Sequence, residues 1–423
     1  MEAEDVLELA PGRSPDFRLV PGGSGAGQAQ IAERLTVQAY QDAAVREFRM
    51  DRFYAKYLLD TPPTLASDSA DSLQPDMGGG PVALAWTLYE QYADLDVLTR
   101  TYPAMKDYVD TAAQVNPGLV WRDDRGFGDW CPPERGPNAN GGQGAPNAGD
   151  CFSERAAVNT ALFYLQTNDT AKAAAALGKT DDAAHFNQLA ASVAQAYTAR
   201  FLGAPSRQVV SVLPLAFGMV PADKIQAVGA KLVDTILTKD HGHLDTGIFG
   251  TRYLLDALAR IDRMDVATTV LGQTTYPGFG YEIQRGATTP WEQWTYESGM
   301  ETHDHAMFAG LNASLYTQLA GITPATPGYA TIDIAPKVPD GLEHVSGSIN
   351  TVHGKIVSAW TNRACQFDLS VTIPTTATIS LPAAVRTVAT ASVSVQVPPG
   401  ATVLSDGRYS VGTGTWQFGV KHC

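Results

Sequence analysis

The residues with the clearest capacity for chemistry lie in GATTPWEQW, positions 286–294, where Glu292 stands between Trp291 and Trp294. A carboxylate among indoles is costly to bury unless it is paired or put to use. Indole rings stack on the apolar faces of pyranose rings, while a carboxylate binds hydroxyls or moves protons, so the grouping suits a sugar site. The competing expectation makes both tryptophans core residues and Glu292 a cap or an ion-pair partner. A second cluster, GFGDW at 126–130, presents Asp129 and Trp130 from a tight turn that its glycines permit. There the alternative is a turn in which Asp129 satisfies its own neighbours. His243, in HGHLDTGIFGT, and the pair His303 and His305, in ETHDHAMF, form a third group. Two positions apart, the paired histidines fall on different faces of a helix, so a shared metal is not expected. A single His bonding a substrate or a core partner is.

Several other chemistries lack their motifs. No GxSxG elbow, P-loop or GxGxxG after a strand occurs, which leaves serine-hydrolase and nucleotide-cofactor readings without support. The four cysteines, Cys131, Cys151, Cys365 and Cys423, form no close CxxC pair, so a zinc site is not expected. Their order suggests Cys131 with Cys151 and Cys365 with Cys423, free buried cysteines being the alternative. A formal net charge of −14 repels phosphate backbones, so no nucleic-acid partner is expected. No run of about 18 apolar residues is present, so no membrane span is expected either. Residues 1–30 open with acids and lack a basic start followed by an apolar stretch, so no signal peptide is visible. The expectation nonetheless leans to an extracellular or periplasmic compartment, and oligomeric state stays open.

The elements that must position these residues fall into two regimes. From about residue 80 to residue 322 the chain reads as helix after helix, with candidates at 83–95, 103–114, 153–167, 181–201, 222–237, 251–261, 264–273 and 304–320. Pro103 and Pro221 sit where helix starts tolerate proline. After Pro324, stretches such as FDLSVTIP and ATISLP alternate apolar and polar residues at period two, which predicts strands. The expected organisation is an irregular segment 1–30, a helical unit 31–325 and a β-sandwich 326–423. Residues 61–80 read as a long loop.

Taken in order, these segments resemble the glycoside hydrolase family 78 α-L-rhamnosidases, closely from about Val82 to Trp360. WTLYEQYADLDVLTRTYPAMKDYVD resembles the helix hairpin ahead of that family's GDW loop; GFGDWCPP, HLDTGIFGTRYLL, YEIQRGATTPWEQW and HDHAMFAGLNASLYTQLAGI resemble its barrel motifs. The resemblance implies an (α/α)6 barrel followed by a C-terminal antiparallel β-sandwich, and inverting hydrolysis of a terminal L-rhamnose. In such chemistry one carboxylic acid protonates the leaving oxygen and a second carboxylate activates water, the two roughly 6.5–9.5 Å apart. It implies that Glu292 is the general base, that Trp130 stacks on the sugar, that His305 is the histidine following the base, and that Asp76 in LQPDMGG holds sugar hydroxyls. Asp129, His243, Trp291 and Trp294 complete the expected substrate contacts.

For the general acid it implies Glu33, in AERLTV, although the family's neighbouring aspartate, arginine and tryptophan are replaced by Gln28, Ala32 and Val37. The segment MDRFYAKYLLD resembles the family's stretch just downstream of the acid. Those replacements remove neighbours that would raise the pKa of an acid. The alternative function is therefore a relative that binds rhamnose-containing glycans without cutting them. A polysaccharide lyase on a similar toroid is a third expectation, but the basic cluster it needs is not near these motifs. Acid/base hydrolysis of a rhamnose-containing carbohydrate requires no cofactor, and no calcium loop is present.

Overall fold

The computed structural model describes residues 26–61, 73–133, 151–203, 206–295, 303–382 and 394–421, with side chains from Val37 onward. The chain divides into two compact units, one of them Arg34–Leu315 and the other including the chain from Tyr316. Each is taken by itself.

The first unit is helical: α1 (Ala26–Glu47), α2 (Asp51–Asp60), α3 (Gly80–Tyr92), α4 (Leu95–Val115), α5 (Arg155–Ala176), α6 (Thr180–Phe201), α7 (Val209–Phe217), α8 (Ile225–Asp234), α9 (Ile248–Arg260), α10 (Met264–Leu271) and α11 (Phe279–Gln284), then short helical turns over 306–319. Two kinds of helix alternate. α3, α5, α7 and α9 bury residues around much of their circumference, as an inner helix must. α4, α6 and α8 bury one stripe and leave the rest to water. The inner helices touch in succession, α3 with α5, α5 with α7, α7 with α9, and α9 with the turn at 306–311. That turn meets α1 again at Gly310, where an added Cβ would lie 2.1 Å from the carbonyl oxygen of Ala39. The Gln41 amide donating to Thr87 then links α1 to α3. Six inner positions thus close a ring of hairpins, the barrel implied by the sequence.

Several boundaries move. α4 begins at Leu95 because the Asp94 carboxylate caps it, accepting from the Val97 amide at 3.0 Å. Pro103 therefore lies inside this helix and not at its start. The long candidate at 304–320 breaks into short turns at 306–311, 312–314 and 315–319. Backbone 26–30, expected to be irregular, is the first part of α1. Most of the 61–80 loop lies outside the described residues, and 73–79 is a run of turns.

The ring closes on a buried charge. Arg252 of α9 donates to Asp42 of α1 at 2.7 Å, to Asp256 one turn on at 2.9 Å and to the Ser314 hydroxyl at 3.0 Å. Burial pushes the Asp42 carboxyl up, but Arg252 and Arg46 pull harder and hold it below the usual range.

The second unit is β: β1 (Ile322–Pro324), β2 (Thr331–Ile334), β3 (His344–Thr351), β4 (Gly354–Arg363), β5 (Gln366–Ile373), β6 (Thr376–Ile379), β7 (Ser394–Gln396), β8 (Thr402–Val403), β9 (Tyr409–Val411) and β10 (Gly414–Lys421). They form two five-stranded sheets, in the orders β1-β2-β6-β9-β8 and β3-β4-β5-β10-β7. β5 shows why: Phe367, Leu369, Val371 and Ile373 alternate inward, joining Trp360 of β4 and Phe418 of β10 in one core. Against the antiparallel expectation, β2 and β6 run parallel, Thr331 opposite Thr376. The first strand already occurs at Ile322, ahead of residue 325.

Arg252→Met should cost roughly 3–5 kcal/mol, because it strands a buried carboxylate without its cation. Urea unfolding followed by circular dichroism checks this, and a wild-type midpoint would show that the ring does not depend on this pair.

Candidate functional site

Glu292 lies in the irregular stretch after α11, and it alone of residues 291–294 keeps a partly exposed side chain; Trp291, Gln293 and Trp294 are buried. Both of its oxygens face a neighbour. The Trp130 indole N–H donates to Oε1 at 3.3 Å, and Nδ1 of His305 lies 3.7 Å from Oε2. Burial lowers the basicity of His305 more than Glu292 and Asp304 raise it. Its Nε2 is buried without a hydrogen-bond partner among the described residues. The 303–305 segment is itself tied to the acid's own stretch, with the His305 amide donating to the Pro290 carbonyl at 2.8 Å and the Thr289 hydroxyl donating to the His303 carbonyl. Sequence reading and structure thus bring Glu292, Trp130 and His305 together.

The partners of Trp130 are set by the turn before it. Gly126 and Gly128 take φ of +78° and +70°, a conformation that side chains disfavour. They let the turn wrap the Asp76 carboxylate, whose Oδ2 accepts the amides of Phe127 and Gly128, each at 2.7 Å, and the side-chain amide of Asn159 at 3.1 Å. Asp76 is fully buried, and burial pushes its pKa up to about 6 against those donors. The Asp76 carboxylate thus lies beneath the loop and holds it through Oδ2, while Oδ1 has no hydrogen-bond partner among the described residues.

Asp129 is enclosed in a similar way. It is fully buried and accepts the amides of Gly247 at 2.8 Å, Phe249 at 3.0 Å and Gly250 at 2.8 Å. These are the free N–H groups at the start of α9, where a negative charge is favoured. Burial pushes its pKa up to about 7, opposed by those amides and by Arg207. The approach is close enough to require glycine: a Cβ at Gly247 would lie 2.1 Å from the Trp130 carbonyl oxygen. Ile248 then donates its amide to that carbonyl at 3.1 Å. Asp129 thereby locks Trp130 to the barrel wall.

The tryptophans flanking the acid turn inward. Trp294 packs edge-on against Phe279 and Phe308, and its N–H donates to the Thr246 carbonyl at 3.0 Å, so it is core. Trp291 is buried against the His303 ring at 5.0 Å. Neither offers a face for stacking. His243 is engaged as well, with Nε2 at 2.8 Å from the Thr275 hydroxyl and Nδ1 at 3.0 Å from the His241 carbonyl. Thr275 is exposed and His243 half-buried, so both bonds lie at the surface. The side chain of Glu33 lies outside the described residues.

The sequence reading passed over other groups. Phe127 and Phe152, both half-buried, surround Trp130 with ring centroids at 4.9 and 5.2 Å. Phe127 lies inside the GDW segment and Phe152 beside a cysteine, which were the available signals. The Cys131–Cys151 disulfide forms as expected, and Gln293 reaches its Sγ at 3.6 Å. Cys365 is disulfide-bonded too, while Cys423 lies outside the described residues. Arg207 pairs with Asp245 and donates to the Pro133 carbonyl at 3.2 Å, clamping the stretch after Trp130. Among the described residues no group of three or more His, Cys, Asp or Glu could hold a metal ion, and no helix is long and apolar enough to cross a membrane.

Residues 37–319 match the bacterial α-L-rhamnosidase 6-hairpin glycosidase domain, and residues 321–396 match the bacterial α-L-rhamnosidase C-terminal domain. An α-L-rhamnosidase of Alteromonas sp. (strain LOR) is 32% identical over 70% of this chain and 33% of its own length. One from Streptomyces avermitilis is 27% identical over 97% of this chain and 40% of its own. The chain therefore spans less than half the length of these relatives. Among solved structures, the α-L-rhamnosidase from Dictyoglumus thermophilum superposes with a TM-score of 0.78 at 26% identity, covering 92% of this chain and 45% of that one. The Streptomyces avermitilis α-L-rhamnosidase complexed with L-rhamnose superposes with a TM-score of 0.73 at 25% identity, covering 93% and 38%.

Asp129→Ala leaves three buried amides unpaired and should cost at least about 3 kcal/mol, at roughly 1–3 kcal/mol for each unsatisfied group. Denaturant titration checks this; a loss below about 1 kcal/mol, the worth of one ordinary hydrogen bond, would mean that water replaces the carboxylate.

Proposed function

Because the chain belongs to the bacterial α-L-rhamnosidase 6-hairpin glycosidase family, we propose that it hydrolyses terminal α-L-rhamnosyl bonds with inversion, Glu292 acting as general base. One observation carries this reading: of residues 291–294, Glu292 alone keeps a partly exposed side chain, with an indole N–H fixed on one of its oxygens. Oε1 is committed to Trp130, which leaves Oε2, beside His305, to take a proton from water. The attacking oxygen bonds to the anomeric carbon as the glycosidic bond breaks, and the leaving oxygen takes a proton from the general acid. That acid is assigned to Glu33 from its motif position alone. His305, whose basicity burial lowers, lies close to Oε2 of Glu292. Phe127 and Phe152 supply apolar surface beside Trp130 for the sugar.

The second reading, glycan binding without cleavage, is favoured by one observation, the replacement of the neighbours of Glu33 by Gln28, Ala32 and Val37. An activated aryl rhamnoside separates the two, since its leaving group needs little protonation. Calorimetric rhamnose binding with no aryl-rhamnoside turnover would establish the second reading.

Glu292→Gln should lower kcat on an aryl rhamnoside by about 10²–10⁴-fold, the range of one general base. Proton NMR of the wild-type reaction should show β-L-rhamnose as the first product. Turnover unchanged in the variant would remove Glu292 from the mechanism, and α-L-rhamnose appearing first would remove inversion. Glu33→Gln should impair natural glycosides far more than aryl ones; equal effects on both would unseat Glu33 as the acid.

A further inference from the structure

Ten residues before the acid, Glu282 sits in the six-residue helix α11 and is only 4% exposed. Among the described residues no cation pairs with it. Its carboxyl instead receives the backbone N–H of Trp291, the residue immediately before Glu292. The main chain of Glu282 is anchored to the same excursion, its carbonyl accepting the amides of Arg285 and Ala287, each at 3.0 Å. One residue therefore holds both ends of the 285–291 loop: its backbone holds the start and its side chain holds the end. From the opposite side the 303–305 segment holds Thr289 and Pro290. The stretch leading into Glu292 is thus gripped from two directions, and Glu282 is the buried acid in that grip.

We propose that Glu282 is a positioning residue for Glu292, a buried carboxyl that accepts the Trp291 amide and fixes where the base sits. The inference rests on the reading of Glu292 as general base. Burial pushes the Glu282 carboxyl up to about 8, opposed only by the Trp291 amide. Among the described residues, Tyr281 and Arg285 stand on its own turn, Glu292 follows Trp291, His303 packs on the Trp291 ring and His305 donates its amide to Pro290. None of them contributes to that shift. A neutral acid tolerates burial at low cost, whereas an ionised one does not. Glutamine copies the neutral form: it keeps a carbonyl acceptor in the same place and cannot ionise. Leucine fills similar space and removes the acceptor, leaving a buried amide unpaired.

The test compares wild type, Glu282→Gln and Glu282→Leu by kcat and KM on an aryl rhamnoside and by Tm, from about pH 5 to about pH 9, a span that brackets the titration. Glu282→Gln should keep kcat within about twofold near pH 6 and hold it above pH 8, where the wild type declines. Glu282→Leu should fold with KM little changed and kcat lower by on the order of 10- to 100-fold, the penalty of a misplaced base. The sign for stability is fixed by linkage. The folded pKa of about 8 lies above the ordinary 4.5, so the native state keeps a proton that the unfolded chain has released. Wild-type Tm should therefore fall relative to Glu282→Gln as pH rises from 4.5 toward 8, and the gap should stay constant beyond. Three results would overturn the proposal: wild-type kcat in the leucine variant, loss of activity near pH 6 in the glutamine variant, or identical Tm slopes for wild type and glutamine. Wild-type protein without any turnover would count against the rhamnosidase reading instead, and the Tm slopes and tryptophan fluorescence would then decide the tether by themselves.

Discussion

The candidate site depends on buried carboxyls holding backbone amides. Asp129 takes three N–H groups at the start of α9, and Asp76 takes two from the turn before it. Helix ends and glycine turns leave amides that nothing in regular structure satisfies. A short acid buried among them replaces the water they would otherwise need, and it does so from a fixed direction. Trp130 inherits its position from Asp129, and Glu292 inherits one of its hydrogen bonds from Trp130. Rigid helices carry the frame, but this sequence of acid, amide and indole transmits their order to an irregular loop.

That arrangement explains what could be read from the sequence. Period-two alternation from residue 325 onward and the helical stripes before it reflect burial patterns that any single strand or helix must obey. The acid at 292, the indole at 130 and the imidazole at 305 were legible because their motifs match a family, and the structure brings the three within hydrogen-bonding or near-contact range. The direction of a side chain was less legible. Trp291 and Trp294 bracket the acid in sequence, yet both turn into the core, because in irregular backbone adjacent positions do not alternate by rule. Asp76 and Asp129 read as polar loop residues available to a ligand; their actual partners are amides 51 to 121 positions away. No local pattern encodes a partner that distant. Glu282 went unnoticed for the same reason, since its environment is set by a loop closing over it.

Two kinds of buried acid coexist in the helical unit, and they do different work. Arg252 answers Asp42 and Asp256 with a full opposite charge and joins α9 to α1. Asp76 and Glu282 have no such partner among the described residues, and their pKa values rise accordingly. Paired charges secure the ring, where the geometry is regular enough to aim a guanidinium. Near the site, where backbone amides are abundant and unpaired, single acids suffice.

The Cys131–Cys151 bridge gives the site a chemical history as well as a geometry. It closes on residues adjacent to Trp130 and Phe152, with Gln293 leaning on its sulfur. Cross-linking a loop of this length restricts the unfolded chain by about 3 kcal/mol. Chains made where glutathione keeps thiols reduced would lack that restraint at the point where the indole must stay still. Two preparations identical in sequence and mass spectrum but for two hydrogens could then differ in activity, so the thiol content of a batch belongs beside its purity.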